Sequence, residues 1–212
     1  MYYRMMKKKV LIFLNCHGVF INYWLVKNGI FEKDEILKVA LHHLLDKEIL
    51  PENIKEYASE CDVMILQYIK TNRGELNHDF LTQLKKPSCE IILIPHYTCD
   101  IYNYNDIQFR YYEEIHDNNV ANFLCDSNII DDFFKSVQEK DQTGSLKMES
   151  FVRSNFDKKI LFNDRIHPNA LFFHEMVQQI SRILKITGLS QQKHNKVFPY
   201  ADKQEIEIYL EH

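Results

Sequence analysis

Three short apolar runs, Val10–Leu14, Val63–Leu66 and Ile91–Ile94, constrain this chain most. Each is four or five residues long with no polar position inside it. That is the pattern of a strand buried on both faces, not of one with a wet side. The segments between them read as helices. Val19–Lys27 carries Phe20, Tyr23 and Trp24 for an inward face. Asp34–Leu50 places Ile36, Leu37, Ala40, Leu41, Leu44 and Leu45 at three- and four-residue spacings, and Pro51 then breaks the pattern. Asn77 can cap a helix holding Phe80, Leu81 and Leu84 that stops before Pro87. Strands alternating with helices predict an α/β fold with a mostly parallel sheet and right-handed crossovers.

The remainder is more helical. Thr98–Gly144 is rich in Tyr, Asn and Asp, with helices expected near Ile107–His116 and Asn128–Lys140. It reads as an insertion or cap, not as a separate domain. A helical stretch follows at Ser150–Lys158. Pro168 then opens an amphipathic helix with Leu171, Phe172, Met176, Val177, Ile180, Ile183 and Leu184 on one face, ending near Gly188. Residues 1–209 therefore read as one α/β domain with 98–144 as its insertion, and Leu210-Glu211-His212 as the start of an appended histidine tag.

Charge and composition exclude several classes. A net charge of −4 provides no basic field of the kind nucleic-acid binders show. Lys7–Lys9 precede Val10–Leu14, but five apolar residues are too few for an export signal, which needs roughly 7–15. Nothing approaches the ~20 apolar residues of a membrane span, so the expected location is the cytoplasm. The five cysteines, Cys16, Cys61, Cys89, Cys99 and Cys125, are scattered without a C-x-x-C pair, which points to reduced thiols. His17, His96, His167 and Asp164 are the residues that could gather a metal, yet no H-x-H or H-E-x-x-H supports one, and no metal is expected.

In parallel sheets ligands sit beyond the carboxyl ends of the strands. Here those ends are Asn15-Cys16-His17-Gly18, Gln67-Tyr68 and Pro95-His96-Tyr97. A second informative stretch is N-D-R-I-H-P-N, Asn163–Asn169. A carboxylate three residues before an imidazole can hold the ring in one tautomer and leave its other nitrogen to accept a proton. Asp164 could instead cap the following helix.

A nucleophile ending the first strand, followed much later by D-x-x-H before the last helix, resembles the order of SGNH-type hydrolases, with Cys16 in the place of the serine. Asn15-Cys16-His17-Gly18, the Gln67 strand end and the terminal H-P-N together resemble a narrower group, the WcbI-type polysaccharide-biosynthesis acetyltransferases. The resemblance covers about residues 8 to 185 in outline. It implies an SGNH-like three-layer sandwich, coenzyme A as acyl donor and a saccharide hydroxyl as acceptor. It also implies Cys16 as nucleophile or site-shaper, His167 as general base and Asp164 as its orienter. Asn15, His17, Gly18, Gln67 and His96 are candidates for oxyanion stabilisation or substrate positioning, through the Gln67 amide or the backbone N–H groups near His17 and Gly18. Arg165, Arg73, Arg110 and Lys158 are candidate partners for phosphates. The glycine and asparagine blocks that complete an SGNH oxyanion hole have no clear counterpart here.

Two chemical routes stay open. A thiolate favoured by a nearby His or a helix N-terminus can take the acyl group and pass it on. Alternatively, His167 can deprotonate the acceptor for direct attack on the thioester. A thiol-dependent esterase or thioesterase, and a non-catalytic binding protein on the same scaffold, are the competing functions.

Overall fold

The computed structural model describes residues 7–47, 49–70, 73–99, 127–156, 159, 161–162 and 165–186. The described chain forms two compact units. One holds the residues up to Pro95 together with those from Ile180 onward; the other holds His96 to Gln179.

The first unit is built on four strands: β1 (Val10–Leu14), β2 (Ile36–Ala40), β3 (Val63–Gln67) and β4 (Glu90–Ile94). All pair in parallel, in the order β2-β1-β3-β4. β1 and β3 are central and buried along their whole length, which is why they read as unbroken apolar runs. The chain moves from β1 to β2 on one side, then crosses back to β3 and on to β4. Right-handed crossovers therefore force helix α1 (His17–Lys27) and helices α2 (Glu52–Glu60) and α3 (His78–Leu84) onto opposite faces. The packing agrees. Leu11, Phe13, Met64 and Leu66 share a core with Ile54 and Ala58 of α2 and Leu81 of α3. On the other face Gly18 of α1 lies directly over Leu14 and Ile12. Helices on both faces of a parallel sheet are the α/β architecture expected from the sequence.

β2 overturns one expectation. Residues 34–50 are not a helix but a short 3-10 turn (Lys33–Glu35), β2, and a second 3-10 turn (Leu41–His43). The three- and four-residue spacings arise where an edge strand runs into a turn. Ile36 and Val39 are β-branched, and the ladder to β1 satisfies a backbone that propensity alone would leave undecided. Because β2 pairs only with β1 among the described residues, all five of its positions stay half-buried and Lys38 is tolerated. Pro51 likewise starts a helix instead of ending one: it sits at the N-cap of α2, with φ −54° and ψ 140°. Asn77 does cap α3, its side chain accepting the Asp79 N–H at 3.1 Å. Along α1 the buried residues include Ile21, Trp24 and Leu25, whereas Phe20 and Tyr23 are half-buried.

The second unit contains α4 (Ser127–Thr143), α5 (Glu149–Asn155) and most of α6 (Ala170–Ile183). Phe133, Phe156, Phe162 and Phe172 form a chain of ring contacts with centroids 5.0–6.0 Å apart. Tyr97, fully buried, stacks on Phe172 at 5.3 Å and donates its hydroxyl to Asp141 Oδ1 at 2.9 Å. The other oxygen of Asp141 accepts the Glu149 N–H at 2.7 Å, capping α5. α6 begins two residues later than the sequence suggested. Pro168 belongs to a bridge with Phe162, and Asn169 is the cap, its Oδ1 accepting the Phe172 N–H at 3.1 Å. A cap that supplies a side-chain acceptor outranks a proline that only presets φ. The helix expected at Ile107–His116 lies outside the described residues.

Candidate active site

The order β2-β1-β3-β4 reverses direction between β1 and β3, and such a switch point leaves a crevice beyond the carboxyl ends of those two strands. Asn15, Cys16, His17 and Gly18 leave β1 there, and Gln67 ends β3 beside them. Leu66 pairs with Phe13, so Gln67 is level with Leu14, one strand spacing away.

Local bonding explains the turn. The Asn15 side chain accepts the His17 N–H at 3.1 Å and its carbonyl accepts the Gly18 N–H at 2.9 Å. Together these close an Asx turn that launches α1. Cys16 occupies the N-cap, half-buried, with a free thiol and no side-chain cap bond. The helix has no acidic residue in its first turn to offset the positive end of its dipole. His17 and Gly18 are buried. A Cβ on Gly18 would come within 3.0 Å of Leu14 Cβ, so a glycine is what lets the first turn lie against β1. Both N–H groups proposed from sequence as oxyanion donors thus bond to Asn15.

Gln67 is only 5 % exposed. Its Nε2 donates to the Ile94 carbonyl at 3.0 Å, which fixes the amide's orientation, because a flip would set two carbonyl oxygens against each other. Oε1 is buried and has no hydrogen-bond partner among the described residues. His78 was not anticipated from sequence. Its Nδ1 accepts the Ile69 N–H at 3.2 Å and its ring lies 4.9 Å from Tyr68, so it fixes the chain just beyond Gln67. An N-H-D triplet opening a helix in the segment between two strands was the available signal.

In the second unit the structure brings two predicted histidines into electrostatic contact. His96 follows β4, and its ring bonds to the Ile166 backbone. Cys99 N–H donates to the Arg165 carbonyl at 2.8 Å, laying residues 96–99 along the turn that carries His167. Asn169 N–H donates to the Leu161 carbonyl at 2.9 Å and closes the base of that turn. Burial, then Lys140 and His167, push the His96 imidazole below its ordinary value and keep it neutral. Lys140, bonded to Thr98 Oγ1 at 2.8 Å, was missed because its helix pattern alone marks it as a solvated position. Arg165 and Arg73 are exposed. Asp164, Arg110 and Lys158 lie outside the described residues.

Among the described residues no group of three or more His, Cys, Asp or Glu could hold a metal ion. No described helix is long and apolar enough to cross a membrane.

No protein-family model matches the chain, and no curated protein matches it. Among solved structures it is similar to WcbI, described as a polysaccharide biosynthesis enzyme, in its native form without a disulfide bond between coenzyme A and one of its cysteines. The TM-score is 0.62 at 16% identity, over 86% of this chain and 71% of that one. The two proteins share a fold.

Proposed function

We propose that this protein is a coenzyme A-dependent acyltransferase, with acetyl as the acyl group and a saccharide hydroxyl of surface-polysaccharide biosynthesis as the acceptor. The observation that carries this reading is the place of Cys16: a half-buried thiol at a helix N-terminus whose own first turn holds no acidic residue, at the switch point of a parallel sheet. The fold likeness to WcbI, whose description couples a cysteine with coenzyme A, supports the choice of donor.

Cys16 gives up its thiol proton and attacks the acyl carbon, the bond from that carbon to the coenzyme A sulfur breaks, the acyl group rests on Cys16 and coenzyme A leaves as the thiol, taking up that proton. His167 takes the proton of the acceptor hydroxyl as its oxygen attacks, the bond to Cys16 sulfur then breaks, and His167 passes the proton to that sulfur, returning the thiol. Asp164 orients His167. His96, held neutral, keeps a second positive charge away from His167 when that ring is protonated. Arg165, Arg73, Arg110 and Lys158 are the cations available to phosphates.

Two measurements test the reading. Calorimetric titration with coenzyme A should show binding, and its absence would sink the transferase. Incubation with acetyl-coenzyme A should add one acetyl group, mapped to Cys16 by peptide mass and absent from Cys16→Ala. Cys61 is the internal control, since burial pushes its thiol up to about 12 and leaves it unreactive at neutral pH. Acetylation spread over Cys61 and Cys89 would reject a built nucleophile.

A further inference from the structure

A buried carbonyl oxygen left without a donor is costly, and in a native protein it calls for an explanation. Gln67 Oε1 is such an atom among the described residues. Its direction follows from the sheet. Met64 and Leu66 belong to the core shared with α2 and α3, so Val63, Ile65 and Gln67 point to the α1 face. On that face the first turn of α1 lies over Leu14, the strand position level with Gln67, and Cys16 stands two residues beyond Leu14. The acceptor and the thiol thus belong to neighbouring strand ends on the face where α1 begins.

One Nε2 N–H is given to the Ile94 carbonyl, and the amide atom without a partner among the described residues is Oε1, an acceptor that suits an N–H or O–H donor and not an oxyanion. We propose that Gln67 Oε1 receives the amide N–H of the pantetheine arm, the one two methylenes from the reacting sulfur, and so sets the thioester in line with Cys16. This rests on the coenzyme A reading above. The shared chemistry, a neutral donor, could also come from an acceptor hydroxyl, and the experiment separates the two.

Gln67→Leu is a clean perturbation, because the Ile94 carbonyl also accepts the Tyr68 N–H at 2.9 Å and is not orphaned by the change. Its melting temperature should equal or exceed that of the wild type, since a buried unpaired polar group is removed. Two probes are titrated into both proteins: coenzyme A, and an analogue N-methylated at the amide nearest the thiol. In the wild type, methylation should weaken binding about tenfold, as should Gln67→Leu with unmodified coenzyme A; in Gln67→Leu methylation should cost nothing further. Equal affinity of coenzyme A for both proteins overturns the inference while leaving the acyltransferase standing, and points to an acceptor hydroxyl or an internal water as the partner. No binding of coenzyme A to the wild type overturns the function itself and this inference with it.

Discussion

The buried carboxylate of Asp141 offers the sharpest quantitative test of how the His96 segment is held. Asp141 is 7 % exposed and accepts two donors, the Tyr97 hydroxyl on one oxygen and the Glu149 N–H on the other. Burial first, and the carboxylate after it, push the Tyr97 phenol up, so the hydroxyl stays protonated and remains the donor. Asp141→Ala strands both donors. At about 1–3 kcal/mol for the buried Tyr97 hydroxyl and about 0.5–1.5 kcal/mol for the half-buried Glu149 N–H, the expected destabilisation is roughly 1.5–4.5 kcal/mol, a large share of a typical domain's ~5–15 kcal/mol. Asp141→Asn should cost less, about 1–2 kcal/mol: the amide oxygen can serve Glu149 and its N–H can meet the Tyr97 oxygen, leaving only the phenolic proton orphaned. Tyr97→Phe closes the cycle. It should cost about 1–2 kcal/mol in the wild type and almost nothing in Asp141→Ala, where the partner has already gone. Urea titrations of the wild type, the three single variants and the Asp141→Ala/Tyr97→Phe double variant supply the numbers. An Asp141→Ala cost below about 1 kcal/mol, or the same Tyr97→Phe cost in both backgrounds, would overturn this account of the segment.

His96 and Gly18 carry two further expectations. His96 is held below its ordinary value by burial, so the unfolded chain binds the extra proton more readily than the native one. The stability it confers is complete above its unfolded value of about 6.5 and is lost as pH falls from there toward the lowered native value; His96→Gln should flatten this slope on the acid side of about pH 6.5, and an unchanged slope in urea midpoints would count against it. Gly18→Val sets a branched side chain against Leu14, whose Cβ would lie only 3.0 Å from any Cβ at residue 18, so it should destabilise by about 1–3 kcal/mol and change the rate at which iodoacetamide labels Cys16. A variant with wild-type stability and wild-type labelling would show that the close approach does not position the thiol.

What was legible in the sequence tracks burial on two faces. β1 and β3 announce themselves because central parallel strands need apolar residues at nearly every position; β4, at the other edge, was legible only because Ile91–Ile94 is an apolar run, although its burial is mixed. β2 does not, because an edge strand keeps polar positions and its neighbours imitate a helical spacing. Cys16 was visible as the abrupt end of an apolar run. The same run-ending logic marked Gln67, but its role as an acceptor depends on the Ile94 carbonyl, 27 residues away. Tyr97 and Asp141 are 44 residues apart, and no local pattern joins them. Asn169 shows the limit at shorter range: Pro168 and Asn169 both signal a helix start, and only the hydrogen bond to Phe172 decides between them.

The turn after β1 also divides its bonding unevenly between neighbouring residues. Asn15 supplies both bonds that close it, to the N–H groups of His17 and Gly18, while the backbone of Cys16 is already helical and its side chain caps nothing. Residue 16 is therefore an open socket: its shape is maintained by a neighbour, and the side chain placed in it is excused from structural duty. A protein with that division of labour can exchange the chemistry at one position without renegotiating the fold around it.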